Sequence, residues 1–324
     1  MGEGLTYTLY ETYGELTQAE AYGQELVSLA AEHPDIVVLT ADVAKSTKTK
    51  IFLEAYPERT FNFGVAEQNM MSAAAGLALA GFTPFVSTFA PFASMRACEQ
   101  VRTDIAYPNL KVRIVATHAG LSMGAGGTTH HATEDIAIMR ALANMTVIVP
   151  ADALETVNAV RASLDWPGPV YIRIGRGFEP LAYDTGDYGF EIGKAVTMHE
   201  GNAATVIACG VCVLAAKEAA EMLADEGYGV RVLNMHTVKP IDREAILKAA
   251  SETPLIVTAE EHNIIGGLGG AVAEVLAEAG AGVKLTRLGL PDEYSELGYP
   301  EELLAHYSLD MMGIYTRLQE LLTA

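Results

Sequence analysis

Short apolar, β-branched segments alternate with longer helical segments along the first half of the chain. This alternation predicts a parallel sheet covered by helices, which is an α/β fold. Asp152 has the position and chemistry of a helix N-cap for the segment that follows it. The predicted strands are Ile36–Thr40, 60–63, 85–87, 112–117, 146–149 and 170–174, and the predicted helices are 17–32, 66–80, 94–107, 134–143 and 153–164.

The alternation stops after Arg176, and a second one begins near residue 192. Between them, segment 179–191 is rich in turn-forming residues and has no apolar period, so it is predicted to be a linker. We therefore predict two α/β domains, 1–178 and 192–324, each a mostly parallel sheet covered by helices. The second domain has predicted strands 205–209, 229–233, 255–258 and 283–288, and predicted helices 215–226, 243–250, 271–279 and 314–322.

Length and composition set limits on location and class. At 324 residues, half of them hydrophobic, the chain is long enough for two domains with their own cores. No apolar run reaches the length of a membrane span, and residues 1–4 lack the features of a signal peptide. Three cysteines do not make a disulfide framework, which favours a reducing, cytoplasmic location.

The charge of the chain limits its partners. The formal net charge of −20, from 41 acidic and 21 basic residues, argues against binding to nucleic acid. An anionic substrate would need a local basic cluster to offset this field. The candidates are Lys45, Lys48 and Lys50 in one loop, and Arg173 with Arg176 in another.

Two short motifs have structural interpretations. Cys209 and Cys212 form a single CxxC, which cannot complete a four-sulfur zinc site, so a packing role is favoured over redox or metal chemistry. The glycine-rich segment 266–270 does not match the dinucleotide-binding template GxGxxG in any register. It predicts a tight turn between a strand and a helix.

Glu67 is the strongest candidate for a chemical role. It stands at the start of helix 66–80, after the run Phe-Asn-Phe-Gly-Val-Ala. An acidic residue in a first turn can serve only to stabilise the helix dipole. The following turns are small and apolar, however, and a carboxyl group held in such surroundings can carry a proton at neutral pH. This pattern favours a functional acid.

Aromatic, histidine and arginine side chains form a second set of candidates. Phe89 and Phe92 follow an apolar strand, and on their own they indicate core packing. His118 and His130 bracket a loop with four glycines at a strand end, where open α/β sheets bind ligands, although a pair of surface histidines is the alternative. Arg176 suits bidentate phosphate binding, with a surface salt bridge as the alternative.

Taken in order and spacing, these segments resemble the thiamine-diphosphate enzymes of the transketolase group. The resemblance covers most of the chain: Ala-Asp-Val at 41–43, Gly-Val-Ala-Glu at 64–67, and segments 85–92, 117–130 and 168–176. It implies that Glu67 meets the aminopyrimidine of the cofactor, that Phe92 stacks on this ring with Phe89 close by, and that Asp42 also lies at the cofactor.

The same resemblance implies roles toward a sugar phosphate substrate. His118 and His130 match histidines that contact sugar hydroxyls and assist proton transfer, whereas His131 has no counterpart. Arg176 matches an arginine that binds the substrate phosphate. Arg173 resembles an extra arginine of 1-deoxyxylulose-5-phosphate synthase, and Lys50 is a further candidate for substrate binding.

Two departures from the family pattern are informative. Gly126 stands where family members usually carry an aspartate that recognises a sugar hydroxyl, so the identity of the substrate is open. The chain also contains no Gly-Asp-Gly run, the family motif that holds a divalent ion on the cofactor diphosphate; the nearest segment is 185–188. The resemblance therefore implies only the pyrimidine-binding and C-terminal domains, with no metal ligands of their own.

The missing motif implies a split enzyme. An N-terminal partner subunit would hold the diphosphate and Mg²⁺, in a heterotetramer of two plus two chains that transfers a two-carbon ketol unit between sugar phosphates of the pentose phosphate pathway. Two alternatives are the β subunit of a 2-oxoacid dehydrogenase and an enzyme like 1-deoxyxylulose-5-phosphate synthase. A non-catalytic scaffold subunit is a third, disfavoured by the retention of Glu67, Phe92 and both histidines.

Overall fold

The computed structural model describes residues 12–177, 179–183 and 188–324. Segment 1–11, Phe178 and part of the predicted linker, with most of the near-match at 185–188, lie outside the described residues. Two sheets, each flanked by helices, confirm the predicted α/β class. Within the described part of the chain, no helix is both long and apolar enough to cross a membrane.

A seven-stranded sheet lies at the centre of the first domain. Its spatial order is β10-β5-β6-β4-β3-β1-β2, and every pairing is parallel except that of β10 with β5. The predicted strands of this domain all form, with ends shifted by no more than two residues. The strands are β1 (Ile36–Thr40), β2 (Thr60–Asn62), β3 (Thr83–Phe89), β4 (Arg113–Thr117), β5 (Thr146–Ile148), β6 (Val170–Arg173) and β10 (Thr237–Lys239).

Helices cover both faces of this sheet. The Asp152 carboxylate accepts a hydrogen bond from the backbone N–H of Glu155 at 2.8 Å, which confirms the predicted N-cap. The single helix predicted over 94–107 is wrong, because α4 is flanked by two π-helical segments, Phe92–Arg96 and Val101–Ala106. The helices are α1 (Gln18–Glu32), α2 (Lys50–Ala55), α3 (Glu67–Leu79), α4 (Cys98–Gln100), α5 (Asp135–Ala141) and α6 (Ala153–Asp165).

The second domain contains a five-stranded sheet in the order β12-β11-β8-β9-β7, with only β7 antiparallel to its neighbour. The sequence pattern did not predict β7 or α10. The strands are β7 (Val196–His199), β8 (Ala204–Ala208), β9 (Val230–Asn234), β11 (Leu255–Asn263) and β12 (Lys284–Leu290), and the helices are α7 (Cys212–Asp225), α8 (Arg243–Glu252), α9 (Leu268–Glu278), α10 (Pro300–His306) and α11 (Met311–Thr323).

Strand β10 joins the two domains. It follows β9 of the second sheet directly in sequence but pairs with β5 of the first, with Thr237 opposite Ile148. One hydrophobic cluster contains Val147 of the first domain together with Leu233 and Val238 of the second. Because the apolar core is continuous across the boundary, the second domain is packed directly against the first.

The two motifs with structural interpretations behave as predicted. Cys209 and Cys212 are free, buried thiols, and burial raises the pKa of both above the ordinary value. A thiol held in its neutral form is a packing group rather than a nucleophile. The glycine-rich segment makes the turn into α9, where the buried Glu260 carboxylate accepts hydrogen bonds from the backbone N–H groups of Leu268 and Gly269.

Candidate active site

Four neighbouring strands bring the predicted site residues to one edge of the first sheet. Strands β6, β4, β3 and β1 lie side by side and run parallel. Their carboxyl ends therefore meet at the same edge, where open α/β sheets bind ligands. Arg176 follows β6, His118 follows β4, Phe89 ends β3, and Asp42 follows β1.

Aromatic side chains form a continuous wall at this edge. The ring centres of Phe89 and His118 are 4.1 Å apart, and those of Phe89 and Phe92 are 6.0 Å apart. His130 meets Phe92 edge-on, with ring centres 5.2 Å apart. The structure thus brings together both aromatic residues and both histidines that the sequence proposed as candidates.

Glu67 is buried beside this wall and is paired with an arginine. Its carboxylate is 2 % exposed and accepts from Nη1 of Arg96 at 3.0 and 2.9 Å, one distance to each oxygen. The Arg96 guanidinium also lies over the Phe92 ring, 3.9 Å from its centre. Sequence reasoning missed Arg96, although an arginine four residues after Phe92 on a helical segment was a detectable pattern.

His118 is held as a neutral imidazole. Its backbone has a left-handed conformation with φ of 58°, which is unusual for a residue other than glycine and is found often at functional sites. Its Nδ1 atom hydrogen-bonds to Oγ1 of Thr117 at 2.8 Å. Burial, and then the charges of Arg176 and His130, lower the pKa of His118 to about 4. The side chain is therefore uncharged near neutral pH.

The loop between the two candidate histidines is fastened to the second domain. His131 is buried, its Nε2–H donates to the Gly124 carbonyl at 2.9 Å, and its Nδ1 lies 2.5 Å from Oγ of Ser295. Thr128 Oγ1 donates to the Ser295 carbonyl at 2.7 Å. His131 and Ser295 therefore position the loop, a role that the sequence did not reveal.

The glycine at position 126 is matched to its neighbour. A Cβ added to Gly126 would lie 2.6 Å from Cγ of Met123, so an aspartate there requires the flexible Met123 side chain to move. The exposed Arg176 lies over the same part of the loop, and its Nη1 donates to the Met123 carbonyl at 3.2 Å. Arg176 and the loop therefore form one side of the site.

Arg173 requires a correction. It was predicted to bind substrate, but its side chain is only 4 % exposed, and Nε donates to the buried Asp135 carboxylate at 2.9 Å. Its Nη2 donates to the backbone carbonyls of Ala132 and Glu261. Burial alone would lower the pKa of Arg173, but Asp135 and Glu261 outweigh it and raise that pKa. The guanidinium is committed to joining the two domains beneath the site.

Replacing Arg173 with methionine is expected to reduce the free energy of unfolding by about 3–5 kcal/mol, because Asp135 would stay buried without its partner. Urea unfolding of the purified chain measures the change. Arg243→Met is the matched control, since its pair with Glu278 is solvent-exposed and should contribute about 0–1 kcal/mol. Equal losses in the two variants would contradict a structural role for Arg173.

The remaining candidates lie at the periphery. Asp42 is exposed, also has a left-handed backbone with φ of 63°, and its carboxylate accepts from the Asn62 amide at 3.2 Å. Lys50 begins α2 and pairs with Glu54 at 3.2 Å on the surface. In the described part of the chain, no contact joins Lys50 to the aromatic wall. The substrate contact of Lys50 therefore stays a prediction.

The fold and this site define a class of protein: a two-domain α/β subunit with a carboxylate, an aromatic wall and neutral histidine at the carboxyl edge of a parallel sheet. The model of the family "Transketolase, pyrimidine binding domain" matches residues 15–178, and that of "Transketolase, C-terminal domain" matches residues 193–314. The chain therefore belongs to the transketolase family.

Several relatives have a similar extent. A Methanocaldococcus jannaschii protein named as a transketolase C-terminal section is 46 % identical, over 93 % of this chain and 95 % of its own length. One of the subunits of the apulose-4-phosphate transketolase of Phocaeicola vulgatus is 40 % identical, over 91 % and 94 %. A solved structure, described as a split gene transketolase in an inactive β4 tetramer, is 47 % identical with a TM-score of 0.86, over 96 % and 99 %.

Proposed function

We propose that this chain is the catalytic C-terminal subunit of a split, thiamine-diphosphate-dependent transketolase that moves a two-carbon ketol unit from a ketose phosphate to an aldose phosphate. The observation that carries this proposal is the continuous series of contacts from Glu67 through Phe92 and Phe89 to His118, with Arg176 beside it. The series combines a carboxylate, flat apolar surfaces, an uncharged imidazole and a cation at one sheet edge.

The residues fit the pyrimidine half of the cofactor. Glu67 is a buried acceptor whose two oxygens are already bonded to an N–H group, the kind of donor that an aminopyrimidine carries. Phe92 and Phe89 offer aromatic faces for a flat ring. When bound, thiamine diphosphate supplies the electron sink for carbon–carbon cleavage.

Each of the other side chains has a role toward the substrate. His118 is uncharged near neutral pH, so it can exchange a proton with a sugar hydroxyl as a general acid or base. His130 lies on the other side of the aromatic wall and can serve a second hydroxyl. The exposed guanidinium of Arg176 can bind the terminal phosphate through two parallel hydrogen bonds.

A partner chain completes the proposed enzyme. The sequence contains no Gly-Asp-Gly run for a diphosphate-bound metal ion, so we assign the diphosphate and Mg²⁺ to an N-terminal subunit. Relatives of the same extent carry the names of one section or one subunit of a transketolase. Two copies of each chain would place the cofactors at shared interfaces in a heterotetramer.

The test is a substrate panel on the chain reconstituted with an N-terminal transketolase subunit. Ketol transfer from xylulose 5-phosphate to ribose 5-phosphate is the expected activity, and apulose 4-phosphate is included because a relative is named for it. Pyruvate is the comparison donor. Release of CO₂ from pyruvate without ketol transfer would instead support a 2-oxoacid dehydrogenase or a 1-deoxyxylulose-5-phosphate synthase.

Replacing Arg176 with alanine is expected to raise the KM for phosphorylated donors by about 10- to 150-fold, because a charge-assisted hydrogen bond contributes about 1.5–3 kcal/mol. The KM for the corresponding unphosphorylated ketoses should change little. Steady-state kinetics of the complex with both donor types measures the difference. The same increase for both types would show that Arg176 does not bind phosphate.

A further inference from the structure

We propose that Arg96 is a gate for the cofactor: it holds Glu67 and Phe92 together before the pyrimidine enters and must leave both for the cofactor to bind. This inference rests on the proposed function, since it concerns the same two residues. It adds a conformational step and a residue that the resemblance to known enzymes did not supply.

The geometry places Arg96 on both groups that a pyrimidine needs. One nitrogen, Nη1, donates to both Glu67 oxygens at 3.0 and 2.9 Å, while the guanidinium carbon lies 3.9 Å from the centre of the Phe92 ring. A guanidinium is flat, stacks on aromatic rings and donates N–H groups to carboxylates. It therefore offers Glu67 and Phe92 the same kinds of contact as an aminopyrimidine, and the two cannot hold both groups at once.

Arg96 is also placed to leave. Its side chain is 42 % exposed, whereas that of Glu67 is 2 % exposed, so the arginine can reach water while the carboxylate cannot. It is the last residue of the π-helical segment Phe92–Arg96, and π-helical turns occur often at functional sites. Among the described residues, its side chain contacts no acceptor other than Glu67. Departure therefore costs one ion pair and one stacking contact.

The pair explains how Glu67 can be buried before the cofactor is present. A buried carboxylate without a partner is costly, and Arg96 compensates for its charge. The incoming pyrimidine replaces the arginine as donor, so the carboxylate is never left unpaired. The exchange releases a mobile cation at the mouth of the site.

Chemical labelling of the reconstituted complex tests the gate directly. Phenylglyoxal modifies accessible arginines, and mass spectrometry of the digested chain measures labelling at Arg96, with Arg102 of the same helical region as the internal reference. Adding thiamine diphosphate and Mg²⁺ should increase labelling of Arg96 relative to Arg102, because the guanidinium is released to solvent. A ligand that simply covered its site would reduce the labelling. A decrease or no change at Arg96 would overturn the inference.

Cofactor affinity provides a second, independent test. Arg96→Met should tighten binding of thiamine diphosphate to the complex by about three- to tenfold, since no ion pair has to be broken. Arg102→Met, which removes the same charge from an exposed position, should leave the affinity unchanged. Weaker or unchanged binding in Arg96→Met would count against the gate.

The two proposals can fail separately. If Glu67→Gln and Phe92→Ala both leave cofactor affinity unaltered, the site is misassigned, and the proposed function falls together with the gate. If these variants weaken binding while Arg96→Met behaves like Arg102→Met, the proposed function stands and the gate alone is overturned.

Discussion

Replacing Glu67 with glutamine should reduce turnover of the reconstituted complex by about 10²–10⁴-fold, the usual contribution of one positioned proton carrier. Glutamine has nearly the same shape and still accepts a hydrogen bond, but it cannot be protonated and deprotonated at the carboxylate. Because Glu67 is 2 % exposed beside Phe92, water cannot easily take over that exchange. Single-turnover and steady-state kinetics at saturating cofactor measure the loss.

The matched control is Glu99→Gln, an exposed acid of α4 outside the aromatic wall. This variant should retain the activity of the unmodified complex. Urea unfolding of both variants separates a chemical effect from a loss of structure. If Glu67→Gln folds normally and keeps activity within a few-fold of the control, Glu67 is not the proton carrier.

The fold was predictable wherever a strand is buried on both faces. All five residues of β1 and of β4 are buried, so each appears in the sequence as a short continuous apolar run. The rule that parallel strands end at one edge then placed Phe89 and His118 together, although 29 positions separate them in the chain. The site was therefore predictable as a region before any contact was known.

The missed elements are short and depend on distant partners. Strand β10 has three residues, and its pairing with β5 is decided by how the domains pack rather than by its own pattern. The π-helical segments have the same apolar composition as a regular helix, so hydrophobic periodicity cannot distinguish them.

The arginines show the same limit at the site. Arg173 and Arg176 occupy similar positions after an apolar strand, yet one is buried and the other exposed. What separates them is Asp135, 38 residues away, which binds Arg173. Likewise, Glu67 lies 29 residues before the arginine that pairs with it. A single sequence supplies the charges but not which of them meet.

The largest expected effect comes from omitting the partner. This chain alone should show no measurable ketol transfer and no tight binding of thiamine diphosphate, because Glu67, Phe89 and Phe92 can hold only the pyrimidine half. Most of the cofactor's charge lies on the diphosphate and its Mg²⁺, for which the sequence carries no Gly-Asp-Gly motif.

The surface beside the site supports this dependence on a second chain. Val65 and Leu79, which flank α3, are each 74 % exposed, and Met95, next to Arg96, is 42 % exposed. Large apolar side chains left in water around a site are typical of a surface that a partner covers. Calorimetric titration of the purified chain with thiamine diphosphate and Mg²⁺, before and after adding the N-terminal subunit, measures the dependence. Micromolar binding or ketol transfer by the single chain would defeat the split-enzyme proposal, whereas activity that appears only on mixing, and rises with partner concentration to a stoichiometric end point, is the expected result.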